Sequence, residues 1–404
     1  MRIWLNQLIF RLKFNIVKEF IDIIIRELKR IRKEPVVYGI IFLAPVFSFF
    51  LIASIFKTGV PRDLPVGIVD LDASSLSRKA ARMVDATPIA KINKNYISLL
   101  EAREAIEHGE VAAVLYFPKG TERNILRGQQ SSIVLYVNNA NVIKGSLLSS
   151  GIQKTIQTLS TGIKIQTRLK TGESEKEALA KTMPVKINSE LLSNPFLNYS
   201  YFITFVLFPV MLVLFSMFAT IYAIGSEFHN GTTIEWMQTA GDSIVIGLTG
   251  KLLLYTLFNC ATAMFMNYVL FKIIGAPLHG SMATLFLSEL LLIFSYQSMA
   301  IILVALTANL RLSLSLASAY SLLGVTYAGF SFPISAMPAA GKFFSRIFPI
   351  SYWIESFVCQ SLRAAPLADS FIYFFYLGFF IILGIFFLPR LKYISFNKNY
   401  WGKI

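Results

Sequence analysis

Residue types that do chemistry are sparse in this chain, and their spacing excludes most of it. His108, His229 and His279 stand far apart without ligand-spaced partners, so they do not read as a metal site. There is no G-x-S-x-G elbow to expose a nucleophilic serine. Gly250-Lys251 has the Gly-Lys pair of a phosphate loop, but Val245 stands where the earlier glycine is needed. Leu252 stands where Ser or Thr would meet magnesium. No cofactor is expected on the chain itself. If its work is driven by ATP, the nucleotide and its magnesium belong to another polypeptide.

Two carboxylate settings remain. Glu227, Gly231, Thr232 and Glu235 lie in the segment 225–243, where an apolar run gives way to polar residues. Thr232 followed by Glu235 predicts a capping box at the start of a short helix, and Gly231 permits a tight turn before it. Glu289, by contrast, is the one carboxylate deep inside an apolar run. Burying it is costly unless it faces protein or water, which marks it as a substrate-facing or structural group. Lys251 and Lys272 lie near run ends, where snorkelling to the membrane surface accounts for them. Cys260 and Cys359 are far apart and predict free buried thiols rather than a disulfide framework.

The elements that must hold these groups belong to a membrane protein. Of 404 residues, 55% are hydrophobic and only 15% charged, whereas a soluble domain has about 25% charged residues. Crossing the bilayer core as a helix takes about 20 apolar residues. The pattern predicts six spans: Val36–Phe56, Tyr199–Gly225, Ile244–Phe271, Ala283–Leu306, Leu312–Pro333 and Ser370–Leu388. Pro209 and Pro333 are candidate kink positions within them. Pro338–Pro366 is proline-broken and aromatic, and predicts re-entrant or interfacial helices at the outer leaflet.

Lysine and arginine set the orientation. Arg26, Lys29, Arg30, Arg32 and Lys33 crowd the first span, and Arg390, Lys392, Lys398 and Lys403 follow the last. Both termini are therefore placed in the cytoplasm. The net charge of +15 is met by this membrane-surface role and implies no nucleic-acid partner. Leu5, Ile9, Leu12, Ile16, Phe20 and Ile23 recur at helical spacing and predict an amphipathic helix on the cytoplasmic face. The organisation is thus residues 1–34 amphipathic helix, 35–56 first span, 57–198 extracytoplasmic insert, 199–389 five-span bundle and 390–404 basic tail.

The insert predicts an α/β unit with a mixed sheet. Pro65–Val69, Val111–Phe117 and Ser132–Val137 read as strands. Ser74–Ala86 and Ser98–His108 read as helices, the second opened by a Ser98/Glu101 box. A long helix is expected from Val142 to about Leu169, followed by a charged helical turn or loop over Gly172–Lys181.

Glu227, Gly231, Thr232 and Glu235 resemble the E-x-x-x-G-T-x-x-E signature of type-2 ATP-binding-cassette (ABC-2) transporter permeases. The layout is similar throughout: amphipathic helix, one span, a large outside domain, then five spans. Leu64–Asp72 (LPVGIVDLD), Gly250–Leu253 (GKLL), Phe332–Pro338 (FPISAMP) and Phe348–Tyr352 (FPISY) are similar to family segments as well. Within the family, the drug-exporter-like permeases with an enlarged outside domain are most similar. Phe228 and His229, where the family often carries charge, and Ala240-Gly241, where Pro is frequent, depart from the pattern.

The resemblance implies a permease subunit of an ATP-driven exporter in a bacterial inner membrane, with Glu227 to Glu235 coupling it to a separate ATPase. It implies a homodimer, or a heterodimer with a sister permease. Membrane lipid and, in cells with two membranes, an adaptor and an outer-membrane channel are further partners. The apolar bundle suits hydrophobic or amphipathic substrates, drug-like or lipid-like. A receptor or phage-docking protein of the same layout is the alternative. A secondary transporter is a further one, opposed by the single deep carboxylate and the lack of repeats.

Overall fold

The computed structural model describes residues 2–184, 194, 198–330 and 332–402, with N-terminal side chains described from residue 16 onward. The end of the predicted insert (185–193 and 195–197), Ser331 in the predicted fifth span, Lys403 in the tail and the Leu5, Ile9 and Leu12 side chains lie outside the described residues. The chain divides into two compact units, Met1–Gly59 with Leu191–Ile404, and Val60–Glu190.

The first unit opens with α1 (Arg2–Lys33). Its described buried positions, Ile23, Glu27 and Ile31, recur at four-residue steps and form one inward stripe. Ile16, expected on that face, is exposed. Next come α2 (Pro35–Tyr38), a π-turn over Gly39–Leu43 and α3 (Ala44–Ile55), stacked as one 21-residue apolar helix. The π-turn immediately precedes Pro45, whose missing N–H and bulky ring oppose a regular helical ladder.

The second unit runs β1 (Leu64–Asp70), α4 (Ser75–Asp85), β2 (Ala90–Asn95), α5 (Leu99–Glu107), β3 (Ala113–Phe117), α6 (Thr121–Leu126), β4 (Val134–Val137), α7 (Val142–Lys170) and α8 (Glu175–Thr182). The sheet order is β2-β1-β3-β4, with β1 parallel to β2 and β3, and β4 antiparallel to β3. Val66, Ile68, Ala113 and Leu115 share a core with α4 and α7, while Val69 and Val114 pack with Ala102 and Ala105 of α5. Covering both faces explains why β1 and β3 are continuous apolar runs. β2 was not foreseen: it is an edge strand of sequence AKINKN, whose lysines mask it as a loop. The Ser98/Glu101 box forms only in half, because Ser98 accepts the Glu101 amide while Glu101 takes the amide of Ile97. Complete boxes occur at Ser74/Ser77 and Ser174/Glu177.

The first unit resumes with α9 (Tyr199–Asn230), α10 (Thr233–Thr239), α11 (Ile244–Tyr268) with its π continuation Val269–Ile273, α12 (Met282–Thr307), α13 (Leu310–Tyr327), α14 (Ala339–Ser345), α15 (Pro349–Ser361), α16 (Leu367–Ile385) and α17 (Leu388–Phe396). Among the described residues five helices are long and apolar enough to cross a membrane: Pro35–Ile55, Tyr199–Asn230, Ile244–Ile273, Met282–Thr307 and Leu367–Phe396. The expected fifth span, Leu312–Pro333, is represented by α13, which has 18 residues. That is a rise of about 27 Å, just short of the hydrocarbon core. Arg311, Ser313, Ser315, Ser318 and Ser321 dilute its apolar character. Pro333 kinks no helix: it precedes a 3₁₀ turn beyond the end of α13. The predicted segment Pro338–Pro366 is two short helices, α14 and α15.

Helices α9 and α12 are the most enclosed of the five and carry the centre of the core with Phe208, Leu212, Met217, Leu292 and Tyr296. The α12–α16 contact depends on small residues. The Ser298 hydroxyl donates to the Ile381 carbonyl at 2.9 Å. A Cβ at Gly384 would lie 2.9 Å from Ser298 Cβ and 3.1 Å from its Cα, the close backbone approach typical of membrane helix pairs. Gly384→Leu is therefore expected to force α16 off α12 and destabilise the protein by about 1–3 kcal/mol. A fall in the melting temperature of the detergent-purified variant, with Gly378→Leu unaffected because open space surrounds Gly378, checks it.

Candidate functional site

The segment singled out in the sequence forms a helix–turn–helix. Helix α9 stops because Gly231 takes the left-handed conformation, with φ of +70°. The amides of Gly231 and Thr232 both return to the Glu227 carbonyl, and α10 starts at Thr233. Gly231 therefore has the expected role. The Thr232/Glu235 capping box does not form. Thr232 occupies the cap position without a side-chain cap bond, and its hydroxyl donates instead to Glu227 Oε2. Glu235 turns away to accept from Arg26 Nε at 3.2 Å. A buried carboxylate draws the Thr232 hydroxyl as donor away from the Glu235 amide it would accept from, and a guanidinium is a stronger donor to Glu235 than the Thr232 amide, so the charged pairs prevail over the cap.

Glu227 is the hub of the turn. It is 1% exposed, and three cations from two helices surround it. Arg26 of α1 grips it through both Nη atoms, at 2.7 and 3.0 Å. Arg30 reaches Oε1 at 3.1 Å, and Lys251 of α11 reaches the same oxygen at 2.7 Å. Arg30 also donates to the carbonyls of Ala223 and Tyr222, to the Ser226 hydroxyl and to Glu34. These bonds add charged donors to carbonyls in the body of α9, about two turns before its end, and so tie the arginine to that helix.

Lys251 is fully buried, which corrects the snorkelling expectation. Its ammonium lies 2.6 Å from Glu27 and 2.7 Å from Glu227, with its charge 5.3 Å from the centre of the Trp236 ring. Glu27 accepts in addition from the Tyr255 hydroxyl at 2.7 Å. Gly250-Lys251 thus sits inside a helix with its lysine held by carboxylates, an arrangement that leaves no cradle for phosphate.

Two glycines let the helices come this close. A Cβ on Gly250 would lie 2.8 Å from Ile23 Cγ2 and 3.3 Å from the Phe20 carbonyl of α1. A Cβ on Gly247 would press on the Trp236 indole at 3.2 Å, whose Nε1 donates to the Gly247 carbonyl. The cluster is consequently shared by α1, α9, α10 and α11. Burial alone would lower the Arg26 and Arg30 guanidinium pKa values, but the facing Glu227, joined at Arg26 by Glu235 and at Arg30 by Glu27, overcomes it and raises both above their ordinary values. Both arginines stay charged.

Glu289 is elsewhere. It is fully buried in α12, with Oε2 accepting from Asn267 Nδ2 of α11 at 2.8 Å. Among the described residues no hydrogen bond or ion pair joins it to Glu227. Cys260 and Cys359 are unpaired thiols.

Glu27 and Tyr255 were not picked out from the sequence, and Arg26, Arg30 and Lys251 were read only as cations flanking membrane spans. The available signal was Glu27, a carboxylate between Ile23 and Ile31 on the apolar stripe of α1, where only a buried cation makes sense. Lys251 lies four residues before Tyr255 on one helical face and is the matching cation.

Removing one member of a buried ion pair leaves its partner uncompensated, which costs about 3–5 kcal/mol. Lys251→Met is expected to destabilise by that order, and Glu235→Gln, at a position 68% exposed, by less than about 1 kcal/mol. Melting of the two purified variants beside the parent distinguishes a cooperative buried hub from an incidental set of contacts.

No curated protein matches the sequence significantly. The model of the family described as ABC-2 family transporter protein matches residues 36–388, which takes in the turn, α11 and the bundle. That family supplies the multi-pass membrane permease of ABC transporters and typically works with a separate ABC ATPase. With nearly the whole chain covered and a set of membrane-length helices around the Glu227 hub, the protein belongs to the ABC-2 family of transporter permeases.

Proposed function

We propose that this permease is the membrane subunit of an ATP-driven exporter and that the turn from Glu227 to Glu235 is where it receives force from the ATPase. The observation that carries the reading is the sharing of the Glu227 carboxylate among α1, α9 and α11, with Thr232 and Glu235 tied to the same cluster. A push on the exposed side of α10 displaces a charge that three cations grip, so α1, α9 and α11 must move together. Weak surface contacts would let α10 slide alone.

In this reading the protein lies in a bacterial inner membrane with both termini in the cytoplasm, α13 completes six spans, and residues 60–190 face outward. Two copies, or one copy and a sister permease, dock two ATPases that hold ATP and magnesium. Closure of the ATPases rocks the membrane halves and releases a hydrophobic or amphipathic substrate outward. In cells with two membranes, an adaptor and an outer-membrane channel extend the path. Glu289, remote from the hub, belongs to the interior of the bundle rather than to coupling.

The test separates coupling from folding by using the exposed member of the cluster. Glu235→Arg is expected to retain the parent melting temperature and membrane insertion, and to lose at least about tenfold of permease-dependent ATP hydrolysis with the cognate ATPase. A tenfold loss corresponds to about 1.4 kcal/mol of interaction. Unchanged coupled hydrolysis in a folded Glu235→Arg protein would remove α10 from the coupling path.

A further inference from the structure

Outside the charge cluster, the described part of the bundle buries one more ionisable carboxyl, and its surroundings do not suit an anion. Glu289 is fully buried and Asn267 nearly so. Asn267 Nδ2 donates to Glu289 Oε2 at 2.8 Å, whereas Glu289 Oε1 and Asn267 Oδ1 both lack a partner. Two unpaired acceptors on two side chains already in contact are what an ionised carboxylate leaves behind, because it can only accept.

Among the described residues Glu289 takes part in no ion pair. On the elements around it, Lys251 is engaged by Glu27 and Glu227. Lys272 of the π segment is exposed, and Arg311 of α13, Glu355 of α15 and Asp369 of α16 form no ion pair with it. Of its polar neighbours, the Ser288 hydroxyl donates to Leu285 and accepts from Trp353, and the Cys260 thiol of α11, close enough to interact with Glu289 electrostatically, supplies no positive charge. An ionised carboxylate with one amide donor in this setting is strongly disfavoured.

A single proton resolves both vacancies. We infer that Glu289 is a carboxylic acid that pairs edge to edge with the Asn267 amide, forming a proton-holding site inside the bundle. The Asn267 N–H donates to Oε2 and the Oε1–H donates to Oδ1, so each planar group uses one donor and one acceptor. Exchanging the nitrogen and oxygen of Asn267, which look alike, leaves the same count: one proton is still needed. Taking it up converts carboxylate plus H⁺ into the neutral acid, and no other group changes. Asn267 lies two residues before the π segment Val269–Ile273, a local widening of α11 of the kind found at functional sites. The pair spans α11 and α12, so separating these helices would break both bonds and release the proton to entering water. The inference does not depend on the coupling reading, since its readouts need neither ATPase nor substrate.

The test is infrared spectroscopy of the purified full-length protein at neutral pH, comparing parent and Glu289→Gln. Parent minus variant is expected to show the carbonyl stretch of one buried carboxylic acid, and Glu289→Gln to melt within a degree or two of the parent, because glutamine keeps one donor and one acceptor. Glu289→Leu and Asn267→Leu, which strand a polar partner, are expected to melt several degrees lower. If the glutamine variant fails to fold, a hydrophobic carbodiimide, which reacts with protonated carboxyls, is expected to modify Glu289 in the parent protein, read by peptide mass spectrometry. A difference spectrum with only carboxylate bands, a Gln variant as unstable as the Leu variant, or an unmodified Glu289 would overturn the inference.

Discussion

An anionic carboxylate buried near one end of a membrane-length helix must be neutralised where it stands, and in this protein the packing at that end of the bundle follows from how Glu227 achieves that. A lone charge buried there would cost several kcal/mol. The cost is met by cations that cannot come from its own helix. Arg26 and Arg30 come from α1 and Lys251 from α11. Lys251 in turn requires Glu27, and Glu27 takes the Tyr255 hydroxyl. The N-terminal helix is thereby fixed to the bundle through charge as much as through Ile23 and Ile31, and Gly250 has to be glycine for the backbones to approach.

This chemistry favours uniqueness of arrangement over stability. A buried ionic cluster stabilises less than a well-packed apolar one would, but any register other than the native one leaves charges unpaired. The cluster's rim is different in kind: Glu235 is largely exposed, so the same network offers both a rigid interior and an accessible edge. Glu289 with Asn267 illustrates the opposite solution to the same problem, removal of the charge rather than compensation of it.

Much of the architecture was legible because apolar length and strand–helix alternation are local signals. Tyr199–Gly225 and Ile244–Phe271 correspond to α9 and α11, and the long helix from Val142 appears as α7. Edge strand β2 was not legible, since Lys91 and Lys94 are both exposed and break any apolar alternation, and its existence depends on pairing with β1. The serine-rich α13 falls below the length and apolarity of the other membrane helices for reasons visible only once its end at Tyr327 is known. At the site, Gly231 was readable from its turn requirement. The fate of Thr232 and Lys251 was not: Thr232 serves Glu227, only five residues before it, whose carboxylate is fixed by Arg26 from 201 residues away, and Lys251 answers Glu27, 224 residues away.

The account stands or falls with the side of the membrane on which the hub's exposed edge lies. Gln238, exposed on α10, offers the most direct probe: a single cysteine there, with Cys260 and Cys359 replaced by serine, challenged with a membrane-impermeant maleimide. The account predicts no labelling in intact cells, labelling in inverted membrane vesicles, and protection in those vesicles when the cognate ATPase is bound. Labelling from outside intact cells would contradict it.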